Sequence, residues 1–276
     1  MTFLGLDDLI IRALLEDVGH GDITTNNLVL PTARAEGSFY AKAVGVIAGL
    51  EIAERVFSYL EDDILFKAHK SDGERVLKGE LIATVIASTR TLLTGERLAL
   101  NFLQRLSGIA TKTNNMAELI KDEKAIIVDT RKTTPGLRVL EKYAVRVGGA
   151  NNHRFGLYDG VMVKDNHIKA AGGITNAVTT IRGKIPHTIK IEVEVENLAQ
   201  LQEALAVKAD IIMLDNMDVT TMAEAVKITK GRAILEASGG INEESILQIA
   251  KTGIDLISVG SITHSAVALD ISFLLN

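Results

Sequence analysis

The chain is predicted to be a two-domain α/β protein whose second domain is a barrel of parallel strands, on three observations. First, short apolar strands recur at "AIIVDT" (125–130), "GVMVKD" (160–165), "TIKIEVEV" (188–195), "DIIMLD" (210–215), "RAILEAS" (232–238) and "DLISVG" (255–260). Second, helical patterns at 197–207, 219–229 and 242–252 separate most of them, and strands joined by crossover helices lie parallel. Third, six such strands without a Gly-x-Gly-x-x-Gly turn favour a barrel over an open dinucleotide-binding sheet.

The region before Gly108 follows a different pattern. Residues 6–17 have helical apolar spacing, and "GSFYAKAVGVIAG" (37–49) reads as strands joined by glycine. "GLEIAERVFSYL" (49–60) is helical again. "KSDGERVLKGELIATVIAS" (70–88) has turns at Asp72-Gly73 and Lys78-Gly79 and then a β-rich run. Residues 91–120 read as one long helix, or as two joined near Ser107-Gly108. The expected division is 1–108 for the first domain and 109–265 for the second, with 266–276 packing with the first.

Composition narrows the function. The 276 residues are 47% hydrophobic, which suits a globular protein with a sizeable core. Thirty Lys and Arg against 35 Asp and Glu give a net charge of −5, so the surface offers no general attraction for nucleic acid or anionic membrane. The absence of cysteine excludes disulfides and thiolate chemistry, and it suits a cytoplasmic protein. "MTFLGLDDLIIRALLED" is acidic and amphipathic, unlike a signal peptide, and no apolar run approaches the roughly 20 residues of a membrane span.

The carboxyl ends of barrel strands carry active sites, and here all six are polar. They supply Asp129, Thr130, Arg131 and Lys132; Lys164, Asp165, Asn166 and His167; Glu192, Glu194 and Glu196; Asp215 and Asn216; Glu236, Ser238, Gly239 and Gly240; and Val259, Gly260, Ser261 and His264. Glu192, Glu194 and Glu196 alternate with Val193 and Val195, which places three carboxylates on one face of a strand. Inward carboxylates need cations, a metal or water; the other reading is a solvated edge strand. Arg131, Arg154, Lys132 and Lys164 gather cations at the same mouth, and arginine forks suit carboxylate or phosphate. His153, beside Arg154, is a site candidate, whereas His167 and His264 read as structural. Ser238-Gly239-Gly240 and Gly260-Ser261 precede helical patterns and resemble a phosphate cradle of backbone N–H groups. These features describe a site for a polyanion, with carboxylates able to hold a divalent cation such as Mg²⁺. No Ser–His–acid spacing and no His-x-x-x-His pair is present.

At these residues the chain resembles the quinolinate phosphoribosyltransferase family, also called nicotinate-nucleotide pyrophosphorylase (carboxylating). "ALLEDVGHGDITT" (13–25), "GERLALNFLQRLSGIAT" (95–111), "DTRKTTPGLRVLEKYAVRVGGANNHRFGLYDGVMVKDNHI" (129–168), "EVEVENL", "IIMLDNM", "LEASGGI" and "ISVGSITHS" follow the family's motifs in order. One departure is Ala150, where a third glycine is expected.

The resemblance implies an N-terminal α+β open-faced sandwich and a C-terminal incomplete α/β barrel. It implies transfer from phosphoribosyl pyrophosphate (PRPP) to quinolinate with Mg²⁺, giving nicotinate mononucleotide, pyrophosphate and CO₂. Arg131, His153, Arg154 and Lys164 then fall on quinolinate-contacting positions, with Thr130 beside them. Lys132, Glu194 and Asp215 fall around the PRPP ribose, pyrophosphate and metal. Ser238, Gly239 and Gly240 with Val259, Gly260 and Ser261 fall on the 5′-phosphate loops. Arg97 falls on a position that reaches across a homodimer interface. The alternatives are a nicotinate-using or molybdenum-transport relative of the same fold, and a non-catalytic phosphometabolite-binding protein.

Overall fold

The computed structural model describes residues 5–276. In chain order the elements are α1 (Leu6–Val18), α2 (Ile23–Leu28), β1 (Arg34–Ala41), β2 (Gly45–Val46), α3 (Leu50–Ser58), β3 (Leu65–Ala68), β4 (Arg75–Val76), β5 (Leu81–Ser88) and α4 (Thr89–Leu119). There follow β6 (Ile126–Val128), α5 (Arg138–Val147), β7 (Val161–Val163), α6 (Asp165–Ala171), α7 (Ile174–Arg182), β8 (Ile191–Val195) and α8 (Leu198–Ala206). The last are β9 (Ile211–Asp215), α9 (Val219–Thr229), β10 (Ile234–Ser238), α10 (Ile246–Ala250), β11 (Leu256–Ser258), α11 (Ser261–His264) and β12 (Ile271–Leu275). No helix among the described residues is long and apolar enough to cross a membrane.

Two compact units form. One gathers the chain up to Asn114, Thr134–Gly149 and Ser265–Asn276; the other gathers Asn115–Thr133 and Ala150–His264. The first unit is built on an antiparallel sheet ordered β12-β1-β5-β3. Strand β12 pairs with β1 so that Phe39 lies opposite Phe273, with ring centroids 4.8 Å apart. The apolar stripe of α3, buried at Ile52, Ala53, Val56 and Phe57, brings Phe57 to 6.2 Å from Phe39, an edge-to-face distance that adds to area burial.

The second unit is a six-stranded parallel sheet ordered β6-β11-β10-β9-β8-β7. The first strand in the chain pairs with the last, and the second with the third. The sheet is therefore a barrel with one open seam, between β6 and β7. Ile191, Val193, Val195, Ile212, Leu214, Leu235, Ala237 and Ile257 are buried, as strands covered by helices require. Two of the helices that cover it start on side-chain caps: Asn197 accepts from the Gln200 N–H, and Asp218 from the Thr221 N–H.

Residues 89–119 form a single helix, so Gly108 does not divide it. The glycine is there for close approach. A Cβ at this position would fall on the Val267 carbonyl oxygen and the Ala268 Cα, backbone atoms that cannot rotate aside. In an unhindered helix interior, Gly→Ala stabilises by roughly 0.5–1 kcal/mol. Here Gly108→Ala is expected to lower stability instead, by about 1–3 kcal/mol as overpacking does. A thermal midpoint at or above wild type would contradict this packing.

Candidate active site

The carboxyl ends of the barrel strands enclose a cavity of about 890 Å³, within the usual range for small-molecule sites. The barrel residues that the resemblance assigns to substrate and phosphate all line it: Thr130, Arg131, Lys132, His153, Arg154, Lys164, Glu194, Asp215, Ser238, Gly239, Gly240, Val259, Gly260 and Ser261; of the other polar strand-end residues, Asp129, Asp165, Asn166, His167, Glu192 and Glu196 do not. Arg97 belongs to the other unit, on an exposed position of α4.

Period-2 geometry explains the lining. Positions two apart on one strand share a face, so Met162 lies below Lys164, Met213 below Asp215 and Glu236 below Ser238, all in the cavity wall. On β8, Glu194 reaches the wall, whereas Glu192 is buried beneath it with 3% exposure. The expected row of three inward carboxylates is therefore two. Strand β8 ends at Val195, and Glu196 is exposed, its N–H donating to Gln200 Oε1.

The buried carboxylates meet cations and donors. Lys164 Nζ donates to Glu194. His153 Nε2 lies 3.0 Å from Glu192 and 3.7 Å from Glu236. The segment that carries His153 lies along the open seam of the barrel. Asn151 bridges to Val128 of β6, the Asn152 amide donates to Asp129 at 2.6 Å, and the His153 N–H donates to Asp129 at 2.8 Å. Arg154 Nη1 then donates to the Gly160 carbonyl at 2.8 Å. Burial, and next the neighbouring Arg131 guanidinium, lower the Arg154 pKa, with Glu192 and Asp159 opposing. A guanidinium whose charge is disfavoured by burial and by a neighbouring cation calls for an anion beside it.

The loop from Thr130 is fixed as well. Thr130 Oγ1 accepts from the Lys132 N–H at 3.0 Å, and the Lys132 carbonyl accepts from Thr263 Oγ1 at 2.8 Å. In the same cavity wall, Gly239 has a φ of 105°, and a Cβ there would overlap Asn216; no other residue type fits. The Gly260-Ser261 turn starts helix α11 as expected. Ser238-Gly239-Gly240 does not start a helix directly, because α10 begins only at Ile246.

Five lining residues were not singled out from the sequence: Met162, Met213, Ile241, Asn242 and Ser258. The period-2 rule applied to Lys164 and Asp215 points to the two methionines. His264, read as structural, is also in the wall.

Burial first, then the nearness of Glu192, push the Glu236 carboxyl from the model-peptide value of 4.5 up to about 7. A raised carboxyl pKa means that the folded chain holds a proton which the unfolded chain has lost. Stability from this group is then fully retained below pH 4.5 and is lost as pH rises through about 7. The isosteric Glu236→Gln should therefore gain thermal stability relative to wild type on going from pH 5 to pH 7.5. A difference in melting temperature that stays constant over that interval would contradict this.

Comparison with known proteins agrees with this architecture. The family model for the quinolinate phosphoribosyl transferase N-terminal domain matches residues 22–107, and that for the C-terminal domain matches residues 109–274. A probable nicotinate-nucleotide pyrophosphorylase (carboxylating) of Bacillus subtilis is 47% identical over 272 residues, covering 99% of this chain and 94% of that protein. Its counterpart in Synechocystis is 48% identical over 270 residues, covering 97% and 91%. The crystal structure of NadC from Streptococcus pyogenes superposes with a TM-score of 0.96 at 44% identity, over 100% of this chain and 99% of that one. The chain belongs to the quinolinate phosphoribosyl transferase family.

Proposed function

We propose that this cavity transfers the phosphoribosyl group of PRPP to quinolinate and releases CO₂, forming nicotinate mononucleotide for NAD biosynthesis. The observation that carries the reading is the joining of Arg131, Arg154, Lys132 and Lys164 with the carboxylates Glu194 and Asp215 in one cavity. A monocarboxylate such as nicotinate does not need so many cations, and a mere phosphometabolite binder does not need inward carboxylates.

Arg131 and Arg154 fork the substrate's carboxylates, with His153 and Thr130 beside them. Lys132 faces the pyrophosphate of PRPP, and the Gly239-Gly240 and Val259–Ser261 loops take its 5′-phosphate. The pyridine nitrogen attacks the anomeric carbon, the bond to pyrophosphate breaks, and that anion leaves. The transition state is oxocarbenium-like, as in glycoside cleavage, and Glu194 and Asp215 lie where they can stabilise its charge. Holding both polyanions in register offsets up to roughly 7–11 kcal/mol of the barrier. The ring nitrogen is then cationic. The bond from C2 to its carboxylate breaks, its electron pair stays on the ring carbon beside that nitrogen, CO₂ departs and C2 takes a proton from solvent. Mg²⁺ fits the same wall, because Asp215 and Glu194 are hard oxygen donors of the kind that hold it together with substrate phosphates. Bound there, it would neutralise charge on the departing pyrophosphate. A cysteine-free sequence supports a cytoplasmic setting.

The roles separate by variant. Arg131→Lys keeps the charge but loses the planar fork, so quinolinate use should fall by about tenfold or more, on the scale of a charge-assisted hydrogen bond, with melting temperature near wild type. Glu194→Gln and Asp215→Asn should weaken PRPP use while a titration still shows quinolinate binding. Unchanged kcat/KM in Arg131→Lys, or loss of quinolinate binding in the two carboxylate variants, would overturn these assignments.

We also propose a homodimer in which Arg97 serves the partner's cavity. Its exposure on α4 and the family resemblance support this. Mixing inactive Arg97→Ala with inactive Lys132→Ala under subunit exchange should restore activity, because one site of each mixed dimer carries neither defect. Exchange without restored activity would confine Arg97 to its own chain.

A further inference from the structure

We propose that Glu192 is a positioning residue that fixes the ring of His153 as its neutral Nε2–H tautomer, so that His153 serves the substrate by its placement and not by exchanging a proton. The hydrogen bonds make the assignment. His153 Nδ1 accepts the Arg154 backbone N–H at 2.7 Å, and an acceptor nitrogen carries no proton. The proton of the ring is then on Nε2, which faces Glu192 Oε2 at 3.0 Å. Both ring nitrogens are engaged by the protein before substrate arrives.

Glu192 is suited to act through His153. It is buried at 3% exposure and does not line the cavity, whereas His153 does. The backbone of His153 is held by Asp129, which accepts the His153 N–H and the Asn152 amide. Ring and backbone are thus each pinned, the ring by Glu192 and the backbone by Asp129, and the next residue is Arg154. A buried carboxylate on a parallel strand is costly, and an apolar side chain would pack there at less cost. Holding the ring accounts for its presence.

His153, Glu192 and Glu236 offer ligand atoms within 4.8 Å of one another, a set that could hold a metal ion. The tautomer argues against that use. A histidine that binds metal through Nε2 donates its Nδ1–H outward, but here Nδ1 accepts.

The inference rests on the quinolinate reading for its kinetics only, so two measurements are needed. In protein labelled with ¹⁵N-histidine, without substrate, the His153 ring should show the Nε2–H tautomer by long-range ¹⁵N–¹H correlation. An Nδ1–H or doubly protonated ring overturns the proposal whatever the enzyme's substrate. In kinetics, Glu192→Leu should raise the quinolinate KM about tenfold, the worth of one charge-assisted hydrogen bond, with the PRPP KM unchanged. Glu192→Gln, which keeps an acceptor for Nε2–H, should restore both the tautomer and the KM. If both KM values move together, or if Gln behaves like Leu, Glu192 acts as bulk structure or as charge and the proposal fails. Where Glu192→Leu does not fold, the wild-type ring tautomer decides alone.

Discussion

The open seam of the barrel is the constraint on which the site depends. The order β6-β11-β10-β9-β8-β7 leaves β6 and β7 unjoined by strand pairing, and a sheet edge with a polar backbone must find partners. The segment Asn151–Arg154 supplies them. It bridges Val128 on one side, gives donors to Asp129 at the end of β6, and reaches Glu192 on β8 through His153. Satisfying the edge and placing Arg154 in the cavity are the same event. The seam is where two side chains of the proposed substrate site, His153 and Arg154, are set.

Charge is distributed in two tiers. The lower tier pairs within the protein: Glu192 is met by His153, and Glu194 by Lys164, whose side chain is 45% exposed. The upper tier, Arg131 and Lys132, is exposed at the mouth, where it can meet a polyanion despite a net charge of −5 for the whole chain. Arg154 joins the tiers, partly desolvated and disfavoured by its neighbour Arg131. A dianionic substrate would relieve that repulsion, so binding energy is concentrated at the reacting ring. The Gly260 turn follows the strand that pairs with β6 and lies against Lys132, whose Cδ a Cβ there would approach to 3.1 Å.

All six barrel strands could be read from the sequence because parallel strands buried on both faces are continuous apolar runs between turn signals, and their polar ends then pointed to the cavity. Other elements could not. Strand β12 joins β1 across more than two hundred residues, and no local pattern records such a pairing. Helix α5 buries Glu141 and Lys142 together with Leu140, Ala144 and Val145, and Glu141 is met there by Arg105 at 2.8 Å, a pairing that no local pattern records. Helices α6 and α7 are separated at Gly172 and Gly173, both at positive φ, which breaks the apolar spacing between them. At the site, residue types and strand ends were readable, but pairing was not. Which cation meets Glu192 or Glu194, and that Glu196 lies outside, depend on register and on where β8 stops.

The central claim is that the cationic cavity selects a pyridine dicarboxylate and removes one of its carboxylates after transfer. The most direct test supplies purified protein with PRPP and Mg²⁺ and either quinolinate or nicotinate, following CO₂ and nucleotide together. With quinolinate, one CO₂ should appear for each nicotinate mononucleotide formed, and nicotinate should be used poorly. Equal or faster turnover of nicotinate, or nucleotide formed from quinolinate without CO₂, would contradict the account.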